Sequence, residues 1–140
     1  MEQYYSARRD FLYNLIFLIT MAASLWALIL VLLHTTPLPL KIVLALVITA
    51  NIVFLWTVMT QIRYIISNDV VTAKIGPFST KIPINKIKKV SRIKSLVSSF
   101  ATSYHRLRIY HGHGFTDISP EDQNTFLEAI QARNPNISVV

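Results

Sequence analysis

The densest run of charged side chains lies between residues 81 and 94. Six basic residues and no acidic residue occupy these 14 positions: Lys81, Lys86, Lys88, Lys89, Arg92 and Lys94. Such a cluster can contact the phosphates of anionic lipid headgroups, each basic residue near a membrane surface contributing about 1 kcal/mol. A solvated strand face or a protein contact would explain the same pattern. The segment is therefore a candidate contact for anionic headgroups.

Metal and catalytic chemistry have less support. His105, His111 and His113 include a His-x-His pair, but a third ligand of suitable spacing is missing. The chain has no cysteine, which excludes disulfides and thiolate chemistry. The acidic residues are scattered or lie at the start of a predicted helix, and no glycine-rich phosphate loop or nucleophile elbow occurs. We therefore expect no enzymatic activity, no cofactor and no metal.

A second candidate contact is an apolar patch in a polar loop. The segment from Ser95 to Ser103 is rich in Ser and Thr but contains Leu96, Val97 and Phe100. These side chains are a candidate partner loop, and the favoured alternative is that they close the end of a sheet. The net charge of +7 is also compatible with nucleic-acid binding. However, no motif of stacking aromatic and basic residues supports a nucleic-acid partner.

Two long apolar runs precede these residues. Residues 11–33 and 42–60 are uncharged over 23 and 19 positions, which as helices would extend about 35 and 28 Å, close to the about 30 Å hydrocarbon core of a bilayer. A soluble protein of this length could not surround both apolar helices with polar residues. The first run is also longer than the apolar core of a signal peptide. Two prolines mark a tight connection between them. We predict a transmembrane helical hairpin over residues 11–60.

Basic residues flank this hairpin unevenly. Arg8 and Arg9 precede the first run and Arg63 follows the second, whereas the connection carries only Lys41. Because Lys and Arg are enriched on the cytoplasmic side of membrane proteins, we predict a two-span protein of the cell (plasma or inner) membrane. The lead of residues 1–10 and the domain of residues 61–140 would both be cytoplasmic.

After residue 61 the pattern changes to the alternation that is typical of β-strands. Strands are predicted at residues 62–66, 70–75, 80–84, 85–94, 104–110 and 115–118. The conflicting parity of the apolar residues in the fourth of these predicts a β-bulge near Lys88 and Lys89. In the fifth strand, Leu107 and Ile109 are expected to point inward, whereas the alternate side chains are expected to point outward: Arg106, Arg108 and Tyr110.

A helix is predicted after the last strand. Ser119 is expected to be its N-cap and Pro120 its first residue, with acidic side chains in the first turn. Phe126, Leu127 and Ile130 form an apolar stripe. Asn134 and Pro135 would end the helix. The fold class is therefore a membrane α-helical hairpin followed by an α+β domain, mainly antiparallel β, with a C-terminal helix.

Several of these segments together resemble a known family. They are Gly76-Pro77-Phe78, Ile82-Pro83-Ile84 with Ile87, the loop Ser95 to Ser103, Arg106-Leu107-Arg108-Ile109-Tyr110, and Ile118-Ser119-Pro120 before Phe126 and Asn134-Pro135. Their order and spacing resemble the YyaB-like bacterial pleckstrin-homology (PH) domains, over roughly residues 64–137. The resemblance implies a strongly bent antiparallel sheet closed at one end by a C-terminal helix. The family often follows one or two membrane spans, and the resemblance assigns no activity and no functional residue.

We therefore expect a membrane-anchored binding or scaffold module that presents a basic PH-like domain at the cytoplasmic leaflet. Its contact would be a protein or an anionic lipid. The expected partners are the bilayer, anionic headgroups, a membrane protein still to be identified and, in one alternative, a second copy of the chain. The alternative function is an accessory subunit of a membrane transporter or enzyme complex, in which the hairpin is the functional part.

Overall fold

The computed structural model describes residues 1–95, 101–112 and 114–140. The elements in chain order are β1 (Gln3–Ser6), α1 (Phe11–Leu33), α2 (Leu38–Thr60), β2 (Ile62–Ser67), β3 (Val70–Ile75), β4 (Phe78–Pro83), a 3₁₀ turn (Ile84–Lys86), β5 (Ile87–Lys94), β6 (His105–His111), β7 (Gly114–Ile118), α3 (Gln123–Arg133) and β8 (Ser138–Val139). The strands form two four-stranded sheets of order β1-β2-β3-β4 and β7-β6-β5-β8. Neighbouring strands are antiparallel, apart from the short parallel pair of β5 and β8.

The two apolar runs form an antiparallel pair of helices. α1 has the bounds of the first uncharged run, whereas α2 begins at Leu38, four residues before the predicted start. Pro39 is tolerated there because the first turn of a helix leaves its N–H groups unpaired. The ammonium group of Lys41 donates to the carbonyl of Leu32 over 3.1 Å, near the end of α1 where carbonyls lack helical partners. The helices are therefore connected by only residues 34–37.

No residue of either helix is buried in the fold. Both helices have the length and composition of membrane spans. Several of their hydroxyl groups bond within their own helix: those of Thr20 and Thr57 donate to carbonyls four residues earlier. The Ser24 hydroxyl donates to the carboxamide oxygen of Asn51 over 3.3 Å, which joins the two helices. A polar contact of this kind stabilises helix pairs in lipid.

The helical hairpin is inserted between the first two strands of a sheet. β1 pairs antiparallel with β2, from Gln3 opposite Ile66 to Ser6 opposite Arg63. The chain therefore leaves the sheet after Ser6, passes through both helices and enters the same sheet again at Ile62. The sequence predicts only a lead at residues 1–10 and does not predict β1, because four residues are too few for a recognisable alternation. Both helices are consequently attached to one edge of the domain.

The core of the domain lies between the two sheets and α3. It includes Ile66, Val71 and Leu107 from the sheets, and Phe126 and Ile130 from α3, all fully buried. The predicted bulge is confirmed, since the register of β5 and β6 shifts between Ile87 and Lys89. This shift allows Ile87 and Val90, which have opposite parity, to be buried together. An antiparallel α+β domain with a C-terminal helix is therefore confirmed.

The predicted start of the C-terminal helix is wrong. α3 begins at Gln123, and its N-cap is Asp122, whose carboxylate accepts from the backbone N–H of Thr125. Ser119 is instead fully buried. Its hydroxyl accepts from the N–H of Thr102 over 3.0 Å, and its own N–H donates to the Tyr64 hydroxyl over 3.1 Å. Ser119 therefore connects loop 101–104 to β2 rather than capping a helix.

Gly76 gives a test of how the domain packs on α2. Its φ is +52°, and a Cβ atom there would lie 3.3 Å from the Thr57 side chain and 3.4 Å from the Val58 nitrogen. Gly112 has the same φ, but nothing in the described part of the chain lies within 4 Å of its Cβ position. Gly76→Ala and Gly112→Ala should each lower the free energy of unfolding by about 1–2 kcal/mol, because alanine is strained in the left-handed region. Gly76→Ala should lower it further, because the added methyl group forces α2 to move.

Thermal unfolding of both variants in detergent measures this difference. We expect Gly76→Ala to lower the melting temperature more than Gly112→Ala. Equal shifts would show that the turn at Gly76 does not pack on α2.

Candidate functional site

The six basic residues of segment 81–94 are all exposed, but they do not form one surface. Lys81 lies on β4, Lys86 in the 3₁₀ turn, and the others on β5. β5 ends at Lys94, opposite His105 and close to the start of α1, whereas Lys88 lies about 20 Å away along the strand. Because salt screens exposed charges beyond about 8 Å, the six charges do not act as one cluster.

Several other side chains from the sequence analysis have structural neighbours. Arg92 donates to the Asn124 side chain of α3 over 2.7 Å, and the Lys89 ammonium lies 5.9 Å from the Tyr110 ring. The His111 ring lies 2.9 Å from the Thr116 hydroxyl. Residues 1–95, 101–112 and 114–140 contain no group of three side chains that could hold a metal ion. The candidate partner loop of Leu96, Val97 and Phe100, and also His113, lie outside the described residues.

A different set of cations lies next to the helices. Arg63 on β2 is directly opposite Lys74 on β3, and Ser6 and Ser79 extend this exposed row onto β1 and β4. Arg63, the member of this row on β2, lies three residues after the end of α2. Like charges that face each other across a sheet repel. The register therefore sets two exposed positive side chains opposite each other next to the end of α2.

Two crevices flank Arg63. One, of about 410 Å³, is lined by Arg9, Thr60 and Arg63 among others. The second, of about 230 Å³, is lined by Gln61, Arg63 and Lys74. Within the described residues, the salt bridges are Arg8 with Asp10 and Arg108 with Asp117. Arg9, Arg63 and Lys74, here termed the junction cations, therefore lack a carboxylate partner in this part of the chain.

The prediction that Arg106 points outward is wrong. Its side chain is fully buried, and the guanidinium group donates to the Ser103 carbonyl over 2.7 Å and to the Tyr13 hydroxyl of α1. The guanidinium carbon lies 5.8 Å from the centre of the Tyr13 ring. Arg108, also predicted to point outward, is half-buried and donates two hydrogen bonds to Asp117. Tyr13 at the start of α1 therefore contacts Arg106 at a position of β6 that alternation alone assigns to solvent.

Asp10 fixes the other side of this contact. Its carboxylate accepts from the Ser103 hydroxyl over 2.7 Å and from the Tyr104 N–H over 2.6 Å. Although partial burial acts to raise it, these hydrogen bonds hold the pKa of Asp10 below its usual value. Asp10 therefore stays ionised near neutral pH and holds the start of α1 against loop 101–104.

Residues 62–134 match the sequence model of the family described as Bacterial PH domain. The match covers more than half of the 140 residues. The chain belongs to the bacterial PH domain family. The match confirms the resemblance to the bacterial PH domains. The match begins at Ile62, so β1 and the helical hairpin lie outside the part of this bacterial PH protein that the family model describes.

This bacterial PH protein is also similar to the uncharacterized protein YyaB of Bacillus subtilis (strain 168). The two are 29% identical over 93 residues, which are 64% of this chain and 63% of YyaB. The chain therefore spans less than two thirds of the length of this relative. No solved structure matches the chain.

Proposed function

We propose that this bacterial PH protein is a membrane-anchored binding module whose domain the helical hairpin holds at the cytoplasmic leaflet. The insertion of the hairpin between β1 and β2 carries the proposal. The connections are short and bonded to the domain, since Arg8 donates to the Ser119 carbonyl over 2.8 Å and Gly76 donates to the Gln61 carbonyl over 3.0 Å. The domain therefore cannot leave the helix ends without breaking these contacts.

Such a module would act through its attachment to the membrane. A weak contact becomes effective when the domain is confined next to its ligand, because confinement raises the local concentration. Lys94 and the junction cations lie at the end of the domain that adjoins the hairpin, where headgroups would be. Lys86, Lys88 and Lys89 lie at the opposite end, facing the cytoplasm, and could contact a protein. PH domains are in general non-catalytic binding modules, and we propose the same role here.

The absence of cysteine provides a direct test of the anchoring. Thr35→Cys introduces one thiol into the connection between the helices, and Ser138→Cys introduces one near the C-terminus. In intact cells we expect a membrane-impermeant maleimide to label the Thr35→Cys variant only. After the cells are permeabilised, both variants should react. Labelling of Ser138→Cys alone in intact cells would overturn the proposed orientation.

The binding role is tested by exchanging the hairpin. Residues 11–60 are replaced by a two-span hairpin of unrelated sequence and equal length, and proteins crosslinked to each form in its own membrane are identified. If the domain is the functional part, the same partners should be captured by both forms. Loss of every partner would favour the alternative, an accessory subunit of a transporter or enzyme complex that acts through its spans.

A further inference from the structure

We propose that the junction cations and an apolar groove on α2 together bind one anionic phospholipid, the headgroup phosphate lying at Arg63 and Lys74 and an acyl chain lying along α2. This inference rests on the proposed function in one respect, since the hairpin must lie in a bilayer. It adds a defined site, which differs from the basic segment 81–94, and an acyl-chain contact in addition to the headgroup contact.

The polar half of the site is the cross-strand pair of Arg63 and Lys74. Directly opposite residues in a sheet have Cβ atoms about 5 Å apart, so the two charges repel each other. A phosphate placed between them would replace this repulsion by two attractions. Arg can donate two parallel hydrogen bonds to phosphate oxygens, and Lys adds a compact charge. Arg9 lines the larger crevice together with Arg63 and adds a third cation.

The apolar half of the site is a groove of about 600 Å³ on the surface of α2. It is lined by residues on one face of the helix and by the turn between β3 and β4: Leu46, Thr49, Ala50, Val53, Phe54, Thr57 and Pro77. From Leu46 to Thr57 the groove extends about 16 Å along the helix axis. The Thr57 hydroxyl bonds to the Val53 carbonyl over 2.7 Å, which leaves the groove without a free donor at this position.

The two halves are neighbours at the end of α2. Thr57 lines the groove, and Gln61, the residue that follows α2, lines the smaller crevice and donates its backbone N–H to the Thr57 carbonyl over 3.0 Å. The close approach of Gly76 to Thr57 holds the domain against α2 at this level. The rings of Phe54 and Phe78 also meet edge to face, with 6.2 Å between their centres. A ligand in the groove would therefore have its polar end directed toward Arg63 and Lys74.

Charge complementarity favours a phospholipid over the other occupants. A second apolar helix could fill the groove, but it would leave the junction cations without an anion. Free phosphate could bind the cations, but it would leave the groove empty. A phospholipid with a net negative headgroup satisfies both halves and is available at the leaflet surface. The site is therefore expected to select anionic over zwitterionic lipid.

The experiment uses the full chain in nanodiscs of phosphatidylcholine that contain a minor fraction of phosphatidylglycerol. The lipid that remains bound after extraction in mild detergent is quantified by mass spectrometry. We expect the wild-type protein to retain phosphatidylglycerol in excess of its share of the nanodisc. Arg63→Gln should lower this enrichment about fivefold, and Arg63→Gln with Lys74→Gln about thirtyfold. An unchanged enrichment in the double variant would overturn the proposal.

Two further variants separate this site from general attraction. Lys86→Gln with Lys88→Gln removes the same charge at the far end of the domain, and should change the enrichment much less. An equal loss in both double variants would show that net charge alone attracts the lipid, and would overturn the site. Ala50→Phe fills the groove, so it should reduce retention of both lipids. Full retention by Ala50→Phe would show that no acyl chain lies in the groove.

A soluble competitor separates lipid from free anion. Excess glycerol phosphate carries the headgroup charge without acyl chains, and it should displace little phosphatidylglycerol. Complete displacement by this competitor, or a protein crosslinked in the groove in place of lipid, would overturn the lipid assignment. The thiol-labelling experiment reports insertion and orientation independently. Correct labelling without lipid enrichment would reject the lipid site and leave the anchored module standing.

Discussion

Replacing Arg106 with methionine is expected to lower the free energy of unfolding of the detergent-solubilised protein by about 3 kcal/mol. Methionine has a similar length but donates no hydrogen bond. The Ser103 carbonyl and the Tyr13 hydroxyl would each lose a charged donor in a buried site. A solvent-exposed arginine at this position, as strand alternation predicts, would change stability by only about 0.5 kcal/mol on replacement.

A double-mutant cycle with Tyr13 measures how much of this loss belongs to the contact between helix and domain. Tyr13→Phe removes only the hydroxyl and should cost about 1 kcal/mol. Because the two side chains share a hydrogen bond, the double variant should be more stable than the sum of the single losses indicates. Strict additivity would mean that Arg106 and Tyr13 are not coupled. A loss below about 0.5 kcal/mol for Arg106→Met would mean that the guanidinium group is not structural.

Local pattern predicted the elements whose neighbours are close in sequence. The two uncharged runs gave both helices, and alternation gave β2 and β3 with the turn at Asn68, whose φ is +46°. The bulge in β5 followed from the conflicting parity of Ile87 and Val90 alone. These features depend on the burial of side chains within one hairpin, so the order of residues is sufficient to predict them.

The errors occurred where a distant segment decides the environment. Arg106 is buried by Tyr13, which lies 93 positions earlier in the chain. Ser119 and Asp122 are both suitable N-caps, and contacts of Ser119 with Thr102 and Tyr64 left Asp122 to cap α3. The local sequence of β6 or of α3 does not indicate such contacts. Residue type therefore identified the candidate caps, and tertiary structure selected between them.

The position of Arg9 in the candidate site also depends on contacts between segments that are distant in sequence. The cations of segment 81–94 are close in sequence, but Lys88 and Lys94 alone lie about 20 Å apart along β5. Arg9 and Lys74 are 65 positions apart, and the pairing of β1, β2 and β3 brings both toward Arg63. Charge density along a sequence is therefore a poor guide to charge density on a folded sheet. The insertion of the hairpin between β1 and β2 brings Arg9 to this end of the sheet, where the register of β2 and β3 places Lys74 opposite Arg63.

The second large effect is expected in β1. The Tyr5 ring packs edge to face on Phe126 of α3, with 5.1 Å between the ring centres, and it is in contact with the core. Tyr4, the adjacent residue on the opposite face, is 64% exposed. Tyr5→Ala should therefore lower the free energy of unfolding by about 2 kcal/mol. Tyr4→Ala, the matched control, should change it by about 0.5 kcal/mol or less.

Hydrogen exchange distinguishes a local from a global consequence. Loss of the Tyr5 ring should loosen β1 first, because among the described residues this strand is at the edge of its sheet and pairs with β2. Amide exchange should therefore rise in β1 and in β2, from Ile62 to Ser67, before it rises in β6. The family match begins at Ile62, which would suit a domain that is complete without β1. Equal stabilities for Tyr5→Ala and Tyr4→Ala would support that simpler domain, whereas the expected difference would make residues before the hairpin part of its folded core.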